Sequence, residues 1–169
     1  CGSCHGGGSY GTVTPLIQVF QSGTTTPVSS YIGGTMYDVS VTVQHSAGIP
    51  GGYGFQMTCL TSPGNTPLAG YSNLGTNVKQ KTITAGQYAG RTYVEQNGVL
   101  NNNVFTMKWT APATGTGTVK FYTSANAVNN TGNTNGDNAG VASLTLPEFT
   151  TPLGVTGVVT PVSCNGGNN

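Results

Sequence analysis

Charge is what this sequence has least of. Of its 169 residues, five are Lys or Arg and four are Asp or Glu, 5% together, where an ordinary soluble domain carries roughly 25%. A formal net charge of +1 excludes the basic footprint that binds nucleic acid or an anionic membrane. The carboxylates Asp38, Glu95, Asp137 and Glu148 are scattered along the chain, so the paired carboxylates of acid–base hydrolysis are missing. No Ser/His/Asp set, phosphate loop or dinucleotide fingerprint occurs, and the expectation is a carrier or module, not an enzyme. Long apolar runs are lacking too: none nears the roughly 20 residues that span a bilayer.

What is present is glycine (27 residues), threonine and asparagine, with 36% hydrophobic residues, enough apolar content to argue against disorder. A nearly uncharged surface fits an extracellular β protein, or a subunit whose faces neighbours cover, because low net charge favours association. The expected context is therefore a homo-polymer, extracellular or at the cell surface. A chain that starts at Cys1 without Met reads as one that has been processed or trimmed.

Period-two alternation recurs and helical periodicity does not. In YDVSVTVQH, Tyr37, Val39, Val41, Val43 and His45 share one face of a strand. GFQMTCL aligns Phe55, Met57 and Cys59; VFTMKWT aligns Phe105, Met107 and Trp109; TVKFYTSA aligns Val119, Phe121 and Thr123. Weaker strands are expected over 16–20, 79–84, 92–95, 141–146 and 155–159. Turn-forming clusters such as IPGGYG, SPGNTP and NNTGNTNGDNAG separate them. The pattern predicts an all-β fold, an immunoglobulin-like antiparallel sandwich over 10–149, preceded by a flexible leader over 1–9 and followed by a C-terminal strand or tail over 150–169.

The chemistry lies in the first eight residues, CGSCHGGG. Covalent haem attachment needs two thiols that add to the haem vinyl groups and an adjacent histidine that reaches the iron. Cys1, Cys4 and His5 supply that pattern. They predict one haem c per chain, with His5 as proximal axial ligand. Other readings of the segment remain open: a zinc site drawing on Cys59 and Cys164, a Cys1–Cys4 disulfide, or lipidation of Cys1. The sixth iron ligand has few candidates. His45 is the only other histidine, and it is taken as the distal ligand within its own chain or to a neighbour's haem; the rivals are Met36, Met57 and Met107. The distant Cys59 and Cys164 suggest a disulfide in an oxidising compartment. Asp137 looks like a fragment of a calcium loop but reads better as a turn-stabilising residue. Asn129-Asn130-Thr131 is a glycosylation sequon.

CGSCHGGG, GGYGFQMTCL and the stretch from Met107 to Asp137 (MKWTAPATGTGTVKFYTSANAVNNTGNTNGD) together resemble the bacterial choice-of-anchor V surface domain, a relative of the reeler-like β-sandwich. The resemblance implies a secreted, surface-associated sandwich with an N-terminal haem-binding leader, and a C-terminal sorting segment that would follow the NGGNN tail. It carries Cys1, Cys4 and His5 over as haem-attachment residues. Family members often have a histidine shortly before the WTAP stretch; here TYVEQNG places Glu95 or Gln96 near that position, which leaves His45 as a substitute. The function expected is that of a mono-haem c-type cytochrome carrying electrons, as the repeating subunit of a surface filament. The alternative is a structural or adhesive surface module with metal or no cofactor at its N-terminus.

Overall fold

The computed structural model describes residues 2–99 and 101–150. These form eleven strands: β1 Gly6–Gly7, β2 Val13–Gln21, β3 Met36–His45, β4 Gly52–Thr61, β5 Pro67–Leu68, β6 Tyr71–Ser72, β7 Val78–Thr82, β8 Thr92–Gln96, β9 Val104–Thr110, β10 Val119–Val128 and β11 Asn135–Leu146. Two sheets result. One runs β1-β11-β10-β4-β8-β7, with β5 pairing on β4; the other runs β2-β3-β9-β6. All pairs are antiparallel except β1 with β11. Among the described residues, no helix is long and apolar enough to cross a membrane.

The alternation read from the sequence decides which faces meet. Tyr37, Val39, Val41 and Val43 of β3 are buried while the residues between them are not. Phe105, Met107 and Trp109 of β9 continue that face, and Phe55, Met57, Phe121 and Ala125 come from the opposite sheet. Phe55 stacks on Phe105 with ring centroids 4.4 Å apart, and each such ring contributes on the order of 1.5–3 kcal/mol by leaving water. Cys59 belongs to this interior and is wholly buried.

The structure corrects the sequence reading in two places. β11 begins at Asn135, six residues before the expected Val141, because pairing with β10 extends to Ala127↔Asn138 and β1 pairs with the residues before it, Gly6↔Asn135 and Gly7↔Asp137. The Asn/Gly-rich stretch is thus half turn and half strand. The glycine leader, read as a flexible tether, is tied down instead: Gly6 N–H donates to Thr134 O and Gly8 N–H to Asp137 O. The expected strand at 155–159 lies outside the described residues.

Two close approaches hold the ends of the sandwich. β11 crosses β2 so tightly that a Cβ on Gly140 would overlap the carbonyl oxygen of Val13. At the far end of β11, the Glu148 carboxylate accepts from Gly115 N–H and Gly117 N–H, both at 2.7 Å, and Tyr31 donates its hydroxyl to Gly117 O. The backbone donors of Gly117 and Gly115 hold the Glu148 carboxyl below its ordinary value of 4.5.

Two outcomes are expected. Gly140→Ala lowers unfolding free energy by about 3 kcal/mol or more, since the obstacle is backbone and cannot rotate away; Gly6→Ala, whose added Cβ meets nothing within 4 Å, leaves urea midpoints unchanged. The second concerns acid. A carboxylate depressed in the folded state contributes stability that is complete above its unfolded value and is lost as pH falls through the lowered folded one. Urea midpoints of the wild type should therefore fall more steeply below pH 4.5 than those of Glu148→Gln.

Candidate functional site

Strand register sorts the candidate residues between two ends of the sandwich. The starts of β2, β4 and β11 and the ends of β3, β8 and β10 lie at one end, as the pairs Val13↔His45, Gly52↔Val128 and Gln56↔Glu95 require. The leader docks there, so His5 and His45 share a pole. Met36 opens β3 at the opposite pole, about 30 Å away at roughly 3.4 Å per residue. Met57 and Met107 are buried in the core. None of the three thioethers is at the leader's end with a free path to it.

His5 sits over the first turns of β11. Its Nδ1 lies 2.7 Å from Asp137 Oδ2, with side-chain exposures of 23% for His5 and 1% for Asp137. A carboxylate only accepts, so Nδ1 carries the proton. The other Asp137 oxygen accepts Asn129 N–H at 3.0 Å, and its backbone carbonyl accepts Gly8 N–H. A buried carboxylate needs such donors, because an unpaired buried charge is costly. The Asn126 amide nitrogen lies 3.4 Å from Nδ1 and 3.5 Å from Nε2 of the same ring. The lone-pair directions of the two ring nitrogens diverge, so a group equidistant from both lines up with neither. Nε2 is the ring position left for a ligand.

The cleft beside His5 has a volume of about 290 Å³ and is lined by Tyr53, Gln96, Val99, Asn126 and Asp137 among others. Gln96, flagged in the sequence as standing near the position of a family histidine, is in this cleft; its Oε1 is committed to Phe55 N–H at 2.8 Å. The wider recess of about 710 Å³ lies elsewhere, on the outer face of the larger sheet, and holds no His, Cys or carboxylate.

His45 presents no spare nitrogen to that cleft. Its Nδ1–H donates to Ala47 O at 2.9 Å, and the Tyr53 hydroxyl donates to Nε2 at 3.0 Å. Tyr53 is thus shared, holding His45 by its hydroxyl and lining the His5 cleft with the rest of its side chain. Binding of His45 to a metal, in its own chain or a neighbour's, requires the Tyr53 hydroxyl to let go.

Cys4 is exposed and Cys59 is buried in the core; Cys1 and Cys164 lie outside the described residues. A four-cysteine zinc site is not assembled, since Cys4 is on the leader and Cys59 faces the interior, where it pairs in register with Phe121. Among the described residues no three His, Cys, Asp or Glu side chains gather as a metal site. The proposed Cys59–Cys164 disulfide would have to reach a sulfur enclosed between the sheets. The other carboxylates are also separately engaged, Asp38 with Lys108 and Gly23 N–H, and Glu95 with Lys79 and Gln56. In the sequon, Asn129 closes its own loop by donating Nδ2–H to Asn135 O and accepting from Thr131.

Asp137 is the residue the sequence reading undervalued. Its partner is 132 positions away, and the only local signal was a lone acid within an uncharged Asn/Gly stretch.

No protein-family model and no curated protein sequence matches the chain. Among solved structures, the human F-spondin reeler domain aligns with it: fragment 1 at TM-score 0.53 and 16% identity, covering 84% of this chain and 92% of that one. The fold is reeler-like. Fragment 2 aligns at 0.51 and 15% over 88% and 99%, and the Reelin-N domain of F-spondin at 0.53 and 16% over 88% and 94%. These identities establish the reeler-like fold alone. The choice-of-anchor V resemblance rests on the quoted residues.

The geometry fixes an expected order of thiol reactivity. In haem-free protein Cys4 alkylates at once with iodoacetamide, whereas Cys59, buried and with its thiol pushed well up by burial, labels only when denaturant opens the core. Peptide mass mapping after timed labelling distinguishes the two sites.

Proposed function

We propose that this chain is an extracellular, surface-associated β-sandwich module that associates with copies of itself and carries one covalently attached haem c at its N-terminal pole, transferring electrons without catalysing a reaction. The module half of this reading is supported by the reeler-like fold, which it shares with the F-spondin reeler domain, and by a surface with very few charges. The haem half is supported by one observation above the rest: the histidine of Cys1-x-x-Cys4-His5 has its Nδ1 bound to a buried carboxylate. That arrangement orients a metal-ligating imidazole and fixes its tautomer.

The residues present fit a haem. Cys4 is exposed and adjacent to His5, whose Nε2 is the available ring nitrogen; Cys1 would supply the second thioether. Bound there, the iron would supply one-electron chemistry. The chain's own part is to hold the pentapeptide against β11 and to keep His5 in one orientation. His45, held by Tyr53, is the residue of this pole that would move if a second imidazole is required.

A second reading has its own support. The ladder from Gly6 to Gly8 and the His5–Asp137 pair also suffice to staple an N-terminal segment to a structural or adhesive module. Intact mass and a pyridine-haemochrome spectrum of native protein separate the two. The cytochrome predicts the chain plus one haem that resists acid–acetone extraction, with Cys4→Ser abolishing stable double attachment. The bare-chain mass overturns it and leaves the structural module.

A further inference from the structure

The environment of Asp137 says more than that a histidine is near. Its three acceptor positions are all taken, by two parts of the fold: the leader supplies His5 to Oδ2 and Gly8 N–H to the backbone oxygen, and the β10–β11 turn supplies Asn129 N–H to Oδ1. The carboxylate cannot swing to another partner without breaking one of these. The leader is held directly after the histidine, at Gly6 and Gly8. At Gly8 any Cβ would overlap Asn138 Oδ1 and come within 2.7 Å of the Asp137 carbonyl carbon. Gly8, three residues after the histidine, is thus what allows the leader to lie close enough for the pair to form.

We propose that Asp137 is a positioning residue for the haem-binding histidine: it sets His5 in the Nδ1–H form, with Nε2 the bare nitrogen available to iron, before haem is attached. Afterwards it keeps that imidazole electron-rich. The inference rests on the haem reading of this pole. Outer-shell carboxylates of this kind raise ligand basicity, and their loss typically costs 10–100-fold in metal affinity or activity. A more basic axial ligand favours ferric over ferrous iron, so the pair holds the reduction potential down. In Asp137→Asn, an amide N–H turned toward the ring would donate to Nδ1 and move the proton to Nε2, the nitrogen that must be free.

The test uses two readouts. In protein produced without haem attachment, long-range ¹H–¹⁵N NMR at mildly alkaline pH, where an ordinary imidazole is neutral, reports which ring nitrogen of His5 is protonated. The expected result is Nδ1–H in wild type, and a shift toward Nε2–H in Asp137→Asn. Wild-type His5 in the Nε2–H form overturns the proposal without any variant, so a variant that fails to fold does not shield it. In haem-loaded protein, Asp137→Asn should raise the midpoint potential, with Asp137→Glu returning it toward wild type. If haem is bound and neither tautomer nor potential moves, Asp137 is only a staple and the proposal falls. If wild type binds no haem, the cytochrome reading fails by itself, and the tautomer measurement still decides whether Asp137 positions His5.

Discussion

Trp109 is the contact on which the sandwich depends. Its ring meets Tyr31 edge-on at 5.8 Å, Phe121 edge-on at 5.0 Å and Tyr37 at 5.9 Å, joining β9 to β3, to β10 of the facing sheet and to the segment before β3. Such pairs add about 0.5–1.5 kcal/mol each beyond the area they bury. Because the cluster links both sheets, it fixes their separation and the register in which their ends emerge. The pole that carries the leader is placed by that register.

At that pole, the physics changes from apolar packing to satisfying polar groups. The core tolerates no charge, yet Asp137 enters it from the edge with almost no exposure. Its carboxylate is met there by two donors, His5 Nδ1–H and Asn129 N–H, and its backbone carbonyl by Gly8 N–H. Leader, turn and strand are therefore mutually dependent there: removing either carboxylate donor leaves the other beside a buried, under-satisfied carboxylate. His45 and Tyr53 form a second, separate polar pair on the same rim, one strand from each sheet. The pole thus holds two imidazoles in two different settings, one on a carboxylate and one on a phenol.

Much of this was legible in the residues. The alternation of Tyr37 to His45 and of Phe105 to Trp109 named both the strands and their inward faces, because period two has a single reading when one face is apolar. Gly6–Gly7 could not be read as a strand, since glycine has no side chain with which to show alternation. The two-residue strands β5 and β6 are too short to carry a pattern. The early start of β11 was hidden because pairing with β1, a tertiary contact to the leader, overrode the turn propensity of Asn135 and Gly136. The N-terminal pentapeptide was visible as a motif, but the acid that pairs with its histidine was not, because pairing over so long a separation leaves no trace in local sequence.

The strand directions give the molecule a polarity. The chain enters at the pole with His5 and, by the end of β11, has run to the other pole, where Glu148 grips the Gly115–Gly117 turn. Copies stacked pole to opposite pole would repeat their histidines at about the length of a strand, some 30 Å for ten residues. Copies meeting at their leader poles would bring these sites side by side. On the proposed reading, the same subunit would build either a spaced row or a close pair, and which end meets which would set the distance an electron has to cross.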